Sequence, residues 1–263
     1  MPRLYTYGPF QSRRLGLSLG IDILKKEKIC TYNCVYCEIG PTNLLVPPNY
    51  EIDITPSLQY RRELKEMMSL FPNLDSITFG YNGEPTLNPH LTDFFKIASE
   101  VRSEMKWHAK EPYITLFTNS STVHLEEIRD RIKIFDYVLA KLDVGNNEDF
   151  ILTNRPHEKV PNIEIIIDSL SKLRQMMYKK KFGIQCLIYN SYRKDFNSNN
   201  NEKNIINLGN AIKKIKPDTV QIYSIARIPS EYFVYAISDK QKKSIVKTLK
   251  EIINNDAIEI NYY

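Results

Sequence analysis

Segments that read as strands alternate with segments that read as helices along most of this chain of 263 residues. Short runs of β-branched and aromatic residues, such as Tyr113 to Thr118, are followed by longer runs with apolar residues at helical spacing, such as Ile163 to Tyr178. Six strand–helix pairs in one direction predict a parallel sheet, because right-handed crossover helices join parallel neighbours. The sequence therefore predicts an α/β fold of one domain over 1–263, with the sheet curled into a barrel or partial barrel.

The pattern also predicts where the individual elements lie. The predicted strands cover 17–24, 76–81, 113–118, 137–143, 182–189 and 219–225, and the predicted helices cover 57–70, 91–105, a segment capped by Ser121 or Thr122, 163–178, 204–215 and 239–253. The barrel core then spans about 17–226, between an N-terminal extension over 1–16 and a C-terminal helix and possible closing strand over 227–263. The Asn-rich run Asn197 to Asn201 is expected to be a mobile loop.

Composition limits the class of protein. Hydrophobic residues make up 42% and charged residues 25%, which excludes an intrinsically disordered chain. No apolar run approaches the ~18 residues of a membrane helix, and the first residues lack the apolar core of a secretory signal. Four cysteines are too few for a disulfide scaffold. We therefore expect a soluble, cytoplasmic protein that makes no contact with a membrane.

Three of the four cysteines, Cys30, Cys34 and Cys37, form a C-x3-C-x2-C cluster. A structural zinc site would normally need a fourth Cys or His ligand near a second pair, and none is evident. Cys186 lies far away in a predicted strand. Three thiolates instead suit a cubane iron–sulfur cluster with one iron left open to an external ligand, and a zinc site or a simple electron-transfer cluster stays as the alternative.

This spacing, with Tyr36 directly before the third cysteine, resembles the radical S-adenosylmethionine (SAM) superfamily. The resemblance implies a partial (β/α)6 barrel of the TIM type and a [4Fe-4S] cluster held by Cys30, Cys34 and Cys37, with SAM chelating the fourth iron. It implies an enzyme in which the reduced cluster cleaves SAM to methionine and a 5′-deoxyadenosyl radical that abstracts a substrate hydrogen. An electron donor such as a flavodoxin or ferredoxin is the expected partner.

The turn from Gly80 to Pro85 resembles the superfamily's Gly-Gly-Glu motif, with Asn82 in place of the first glycine. In the family this turn offers backbone carbonyls to the methionyl ammonium, so Gly83 is expected to allow close approach of the backbone. Polar residues also end the next two predicted strands, where Lys141 could pair with the methionyl carboxylate. The resemblance thus gives eight candidate contacts to SAM, each with ordinary turn or loop chemistry as the alternative: Tyr36, Asn82, Gly83, Glu84, Asn119, Ser120, Lys141 and Asp143.

Two segments resemble those of one subgroup of the superfamily, which includes relatives of the tRNA wyosine-base synthases. These segments are Gly8 to Asp22 and Arg227-Ile228-Pro229. The resemblance extends from about Gly8 to Ile253. Those synthases have additional cysteines for a second cluster, which this sequence lacks, and this argues against the wyosine reaction itself. Arg13 and Arg14 could reach a carboxylate or phosphate near the cluster, or they could hold the barrel bottom together.

The net charge of +5 is unevenly distributed. From Lys172 to Lys250 there are 17 Lys and Arg against 5 Asp and Glu, a balance of +12 that leaves −7 for the remainder. Such asymmetry can mark a surface that meets a polyanion, so tRNA or another nucleic acid is one predicted substrate. Solvated, Lys-rich helix faces are the alternative. A peptide, a protein side chain or a small metabolite stays open as substrate, as does a non-enzymatic metal-binding or electron-transfer module.

Overall fold

A computed structural model describes residues 2–24 and 27–263. The strands are β1 (Thr6–Ser12), β2 (Gly16–Ile21), β3 (Ile29–Cys30), β4 (Leu44–Leu45), β5 (Ser76–Phe79), β6 (Tyr113–Thr118), β7 (Tyr137–Lys141), β8 (Lys181–Leu187), β9 (Tyr189–Ser191), β10 (Thr219–Tyr223), β11 (Val234–Ala236) and β12 (Glu259–Tyr262). The helices are α1 (Leu58–Leu70), α2 (Leu91–Glu104), α3 (Glu126–Ile132), α4 (Asn147–Asn154), α5 (Ile163–Met176), α6 (Glu202–Ile215) and α7 (Asp239–Ile253). None of these helices is long and apolar enough to cross a membrane.

Eight strands form the main sheet in the order β1-β2-β5-β6-β7-β8-β10-β12. From β2 to β12 all neighbours are parallel, and β1 pairs antiparallel with β2. The six strands β2, β5, β6, β7, β8 and β10 correspond to the six predicted strands, and β12 is the predicted closing strand. The predicted α/β fold with a partial (β/α)6 barrel is confirmed.

The two faces of the sheet differ in chemistry. The face toward the helices is apolar, with Ile77, Leu116 and Val138 in the main hydrophobic core. The alternate residues point to the other face, since successive side chains in a strand alternate. That face is polar, and its side chains meet across the strands: Tyr137 Oη lies 2.6 Å from Thr219 Oγ1. We call this concave side of the sheet the lumen.

Of the two helix caps predicted from the sequence, one is present and the other is not. Ser238 caps α7 in a capping box with Gln241, as its position before the helix predicts. The predicted cap at Ser121 or Thr122 is wrong, because α3 begins at Glu126 after Leu125. Both hydroxyl residues are fully buried and make tertiary hydrogen bonds instead, at 2.6 Å from Thr31 Oγ1 to Ser121 Oγ and 2.7 Å from Thr86 Oγ1 to Thr122 Oγ1.

The Asn-rich segment is part of the packed structure rather than a mobile loop. Asn199 is fully buried, and its side-chain amide donates to the carbonyls of Leu187 at 2.7 Å and Asp143 at 3.1 Å. Its side-chain oxygen accepts from the Tyr189 N–H at 3.0 Å. Asn201 then caps α6. The prediction of mobility rested on the polar composition of the segment, which does not show whether its side chains are buried. In the fold, these amides form hydrogen bonds with backbone groups that would otherwise be buried without partners.

Candidate functional site

The cysteine loop, residues 30–37, lies at the carboxyl edge of the main sheet. It begins at Cys30, the last residue of β3, which pairs with β4 in a separate two-stranded sheet. The loop is held from behind by the end of α4, since the N–H of Asn33 donates to the Asn154 carbonyl and the N–H of Val35 to the Thr153 carbonyl, both at 3.0 Å. Backbone hydrogen bonds of this kind fix the loop's path independently of any metal. The position agrees with the general rule that loops after parallel strands carry the chemistry of such folds.

Each of the three loop thiols accepts from a side-chain N–H group, and these donors come from three parts of the chain. Asn119 Nδ2 lies 3.3 Å from Cys30 Sγ, Asn154 Nδ2 lies 3.4 Å from Cys34 Sγ, and Lys28 Nζ lies 3.1 Å from Cys37 Sγ. Hydrogen bonds to the sulfurs are among the features by which proteins tune iron–sulfur clusters.

Burial raises the pKa of Cys30 to about 11 and that of Cys34 to about 12. Both are therefore neutral thiols near neutral pH in the metal-free chain. Metal ligation requires thiolates, so binding of iron must release their protons. The N–H donors then stabilise the charge that develops on sulfur.

The donor set fits an iron–sulfur cluster. Among the described residues, no three Cys, His, Asp or Glu side chains meet where they could hold a single metal ion, whereas the thiolates of a cubane bind different irons and need not meet at one point. Cys186 is fully buried in β8 on the helix-facing side, within the apolar core. Burial raises the pKa of Cys186 well above its usual value.

The Gly80 to Pro85 turn packs directly against the strand that leads into Cys30. Gly83 has a φ of +128°, and a Cβ added there would lie 1.9 Å from the carbonyl oxygen of Ile29. The glycine is thus required by the contact with β3, a reason that differs from the expected approach of a cofactor. Asn82 is buried in the same turn.

Glu84 ties this turn to the end of β6. Its side chain is fully buried and accepts from the hydroxyls of Thr86 at 2.6 Å and Thr118 at 2.9 Å, and from the Asn119 N–H at 2.6 Å. Burial raises the pKa of Glu84. Because the Glu84 carboxylate oxygens already accept hydrogen bonds from Thr86, Thr118 and Asn119, this side chain positions Asn119 and does not face a ligand directly.

Asn119 and Ser120 have different surroundings although they are neighbours. Asn119 is half-buried, and besides Cys30 its amide donates to Thr31 Oγ1 at 2.9 Å. Ser120 is fully buried in a left-handed conformation, with a φ of 73°, and its hydroxyl donates to the Lys141 carbonyl at 2.8 Å. Asn119 therefore faces the thiols, whereas Ser120 joins the ends of β6 and β7.

Asp143 is the centre of a buried network beside the loop. Its carboxylate accepts from the Tyr36 hydroxyl, from the Leu187 N–H at 2.7 Å and from Asn154 Nδ2 at 3.2 Å. Burial raises the pKa of Tyr36 well above its usual value, so Tyr36 is a stable donor. Asn154 contacts Cys34 as well, so this network links Asp143 to the cysteine loop.

Lys141 completes the network from the lumen side. Its ammonium lies 3.4 Å from Asp143 Oδ1, donates to the Tyr223 hydroxyl at 2.8 Å, and lies 4.5 Å from the centroid of the Tyr36 ring. Burial opposes the charge on Lys141, but Asp143 and Tyr223 outweigh it and hold the lysine pKa above its ordinary value. Lys141 is therefore protonated and already paired within the chain, and its contact with a methionyl carboxylate stays a prediction.

Two residues at the thiols were not identified from the sequence. Asn154 belongs to α4, which was not predicted, although Asn146 caps that helix by accepting from the Asp149 N–H at 2.9 Å. The Asn-x-x-Asp pattern was the available signal. Lys28 is buried and also donates to the Gly40 carbonyl at 2.5 Å, and nothing in the sequence distinguishes it from an exposed lysine.

The arginines singled out by the subgroup resemblance lie apart. Arg13 is exposed, and the Arg14 guanidinium lies 4.3 Å from the centroid of the Tyr223 ring, in the turn that precedes β2. The Arg14 backbone thus lies at the amino end of β2, while its guanidinium reaches the ring of the last residue of β10. Arg227 lies 3.5 Å from Glu38, next to Cys37.

The basic residues of the carboxyl-terminal third are distributed over both edges of the sheet. Lys213 and Lys214 end α6, which leads into the amino end of β10, whereas Lys240 and Lys243 begin α7, which follows the carboxyl end of β10. These groups therefore lie at opposite edges of the sheet. Binding of tRNA stays a prediction from the sequence charge.

Comparison with known proteins adds the family. Residues 28–198 match the sequence model of the Radical SAM superfamily. The chain is 32% identical over 259 residues to a protein of Brachyspira hyodysenteriae named GTPase Obg, covering 97% of this chain and 34% of that protein. It is 29% identical over 256 residues to a UPF0026 protein of Methanocaldococcus jannaschii, covering 97% of this chain and 74% of that one.

A solved structure with a similar fold is that of Streptococcus suis SuiB bound to S-adenosylmethionine. The TM-score is 0.58 at 11% identity, and the match covers 92% of this chain and 50% of that chain. The chain thus spans about a third of the first relative and half of SuiB. None of these matches singles out the wyosine-related subgroup. The family match contains all three loop cysteines and the turn that packs against them, and the chain belongs to the radical SAM superfamily.

Proposed function

We propose that this chain is a radical SAM enzyme that holds one [4Fe-4S] cluster on Cys30, Cys34 and Cys37. The observation that carries the proposal is the donor arrangement, in which Asn119, Asn154 and Lys28 each supply one N–H to one thiol. Such donors stabilise the negative charge of metal-bound thiolates and tune an iron–sulfur cluster. The cluster would supply the electron that cleaves SAM to methionine and a 5′-deoxyadenosyl radical, which takes a hydrogen atom from the substrate.

The residues of the chain divide into two roles under this proposal. Asn119 donates to Cys30 Sγ, the turn at Gly83 packs against Ile29, and Lys141 belongs to the network around Asp143. These are the groups that would meet the polar end of SAM. Glu84 and Ser120 act through their neighbours, because their oxygens are engaged in internal hydrogen bonds. They are positioning residues.

Two ionic groups control the charge near the cluster. The Lys28 ammonium lies 3.1 Å from Cys37 Sγ and would offset part of the negative charge of a thiolate-bound cluster. The Lys141–Asp143 pair is internally neutral and keeps Tyr36 in place. Because cleavage consumes one electron per SAM, an external donor of the flavodoxin or ferredoxin kind completes the proposal.

The test is anaerobic reconstitution with iron and sulfide, followed by reduction in the presence of SAM. The wild type and the Cys186→Ala variant should each bind about one cluster and release methionine and 5′-deoxyadenosine. Cys30→Ala, Cys34→Ala and Cys37→Ala should release none, because each removes one of the three thiolates that would hold the cluster. Retained cleavage in any loop variant, or loss of the cluster in Cys186→Ala, would contradict the assignment.

A further inference from the structure

Lys28 is a buried lysine whose ammonium group lies against the cysteine loop. The residue is 5% exposed, and its Nζ lies 3.1 Å from Cys37 Sγ and 2.5 Å from the carbonyl oxygen of Gly40. The N–H of Gly40 donates to the Cys37 carbonyl at 3.1 Å, so the turn that follows Cys37 curls around the ammonium. The cation is thus enclosed between a cysteine sulfur and a backbone carbonyl.

The backbone of Lys28 is held by the segment that follows this turn. Its N–H donates to Asn43 Oδ1 at 3.3 Å, and its carbonyl accepts from the Leu44 N–H at 3.2 Å. The next residue, Ile29, begins β3 and pairs with Gly83. Because these contacts fix the main chain and the side chain is buried, the ammonium is held in place beside Cys37.

No carboxylate lies within ion-pair distance of Lys28 in the part of the chain that the structure describes. Glu38, the acidic residue next to Cys37, lies instead 3.5 Å from Arg227. Lysine is almost never fully buried without a partner of opposite charge, because removal of an ammonium from water is costly. The adjacent group able to carry negative charge is the Cys37 sulfur, and a thiolate that binds iron supplies that charge. The burial of Lys28 therefore suits the loaded site.

The donors at the other two thiols differ from Lys28 in charge. Asn119 and Asn154 offer neutral amides to Cys30 and Cys34, whereas Lys28 brings a full positive charge. One-electron reduction adds negative charge to an iron–sulfur cluster, and a nearby cation stabilises the reduced form more than the oxidised form. This effect is larger in a buried site than in water, because the effective dielectric constant is lower. The cation therefore favours reduction.

We propose that Lys28 sets the reduction potential of the cluster, raising it so that a donor of the flavodoxin or ferredoxin kind can reduce the cluster. One electron passes from the donor to the cluster, and no bond to Lys28 forms or breaks. Lys28 acts through its charge and is not a metal ligand. This inference rests on the proposed function, since it requires the cluster on the loop cysteines, and it adds the residue that controls entry of the electron.

The experiment is a redox titration of the reconstituted holoenzyme without SAM, followed by electron paramagnetic resonance of the reduced cluster. Lys28→Met removes the charge and keeps a side chain of similar length, whereas Lys28→Arg keeps the charge. Arg227→Gln is the matched control, because Arg227 lies beside Glu38 at the same loop but is exposed to water. The release of 5′-deoxyadenosine is measured on the same samples, with dithionite and with the stronger reductant titanium(III) citrate.

Lys28→Met should lower the equilibrium constant for one-electron reduction about tenfold, which is a shift of about 59 mV toward more negative potential. Such a loss is expected when a hydrogen bond from a charged group is removed. Arg227→Gln should change the constant less than about threefold, because water screens an exposed charge. Lys28→Arg should lie closer to the wild type than to Lys28→Met.

SAM cleavage by Lys28→Met should be weak with dithionite and should recover with titanium(III) citrate, because the stronger reductant overcomes the lower potential. A Lys28→Met cluster with the wild-type potential would overturn this inference and leave the proposed function standing. Equal shifts in Lys28→Met and Lys28→Arg would also overturn it, since the charge would then not be the cause.

The wild type gives a second test that needs no loss of the charge at Lys28. When its lysines carry ¹⁵N, electron–nuclear double resonance of the reduced cluster should detect a nearby ¹⁵N nucleus, and the same signal should be absent from labelled Lys28→Arg. A labelled wild type without this signal would overturn the inference, even where Lys28→Met assembles no cluster. A wild type that assembles no [4Fe-4S] cluster would overturn the proposed function instead.

Discussion

Replacing Gly83 by Ala tests how the turn and the cysteine loop depend on each other. The added Cβ would lie 1.9 Å from the Ile29 carbonyl oxygen, and this backbone atom cannot rotate away as a side chain could. The φ of +128° adds strain of about 1–3 kcal/mol for any residue with a Cβ. Relieving the overlap adds about 1–3 kcal/mol of overpacking. We expect the free energy of unfolding of the metal-free protein to fall by about 2–6 kcal/mol.

Gly40→Ala is the matched control for the backbone strain that a positive φ imposes on a residue with a Cβ. Gly40 also has a positive φ, of 90°, and lies close to the cysteine loop, but a Cβ there meets nothing within 4 Å. It should therefore cost about 1–3 kcal/mol from backbone strain alone. Urea unfolding gives both free energies, and iron content after reconstitution gives the effect on the cluster. Iron should fall in Gly83→Ala, because Ile29 directly precedes Cys30. Equal losses of stability in the two variants would refute the steric argument.

Two further substitutions test the charged groups of the site. Asp143→Asn removes the carboxylate that pairs with Lys141 and accepts from Tyr36, so the free energy of unfolding should fall by about 3–5 kcal/mol. The control, Asp168→Asn at the exposed pair with Lys214, should lower it by at most about 1 kcal/mol. Equal urea midpoints for the two variants would contradict the role of Asp143. Burial raises the pKa of Asp22 to about 6, so this half-buried carboxyl destabilises the fold increasingly as the pH rises from about 4 to about 6. Asp22→Asn should therefore be more stable than the wild type above about pH 6, by about 1–3 kcal/mol after solvent screening, and the difference should disappear near pH 4. A difference that does not vary with pH would contradict the raised pKa.

The sheet could be predicted from the sequence because its signal is repeated in every strand. Tyr113–Thr118 is found as predicted, since β-branched and aromatic residues follow one another between clear turn signals. The strand β1 was not predicted, because Thr6–Ser12 contains Gly8 and Pro9, which both disfavour strands. Its antiparallel place at the sheet edge depends on a long-range pairing with β2 that local pattern does not encode.

The loop cysteines could be identified from spacing alone, because ligand spacing is a local property. The partners of those cysteines could not be. Asn154 lies 120 positions from Cys34, and Asn119 lies 89 positions from Cys30, so only the folded chain brings them together. The same holds for the close contact between Gly83 and Ile29. The sequence indicated that a glycine was needed in the turn, whereas the reason for it lies in a neighbouring strand.

Electron paramagnetic resonance of the reduced, reconstituted protein, recorded with and without SAM, tests the central claim most directly. If Cys30, Cys34 and Cys37 leave one iron open, the signal of the reduced cluster should change when SAM is added, because SAM becomes a ligand of that iron. The change should persist in Cys186→Ala, whose thiol lies in the apolar core on the far side of the sheet. A reduced cluster whose signal is the same with and without SAM would contradict the account.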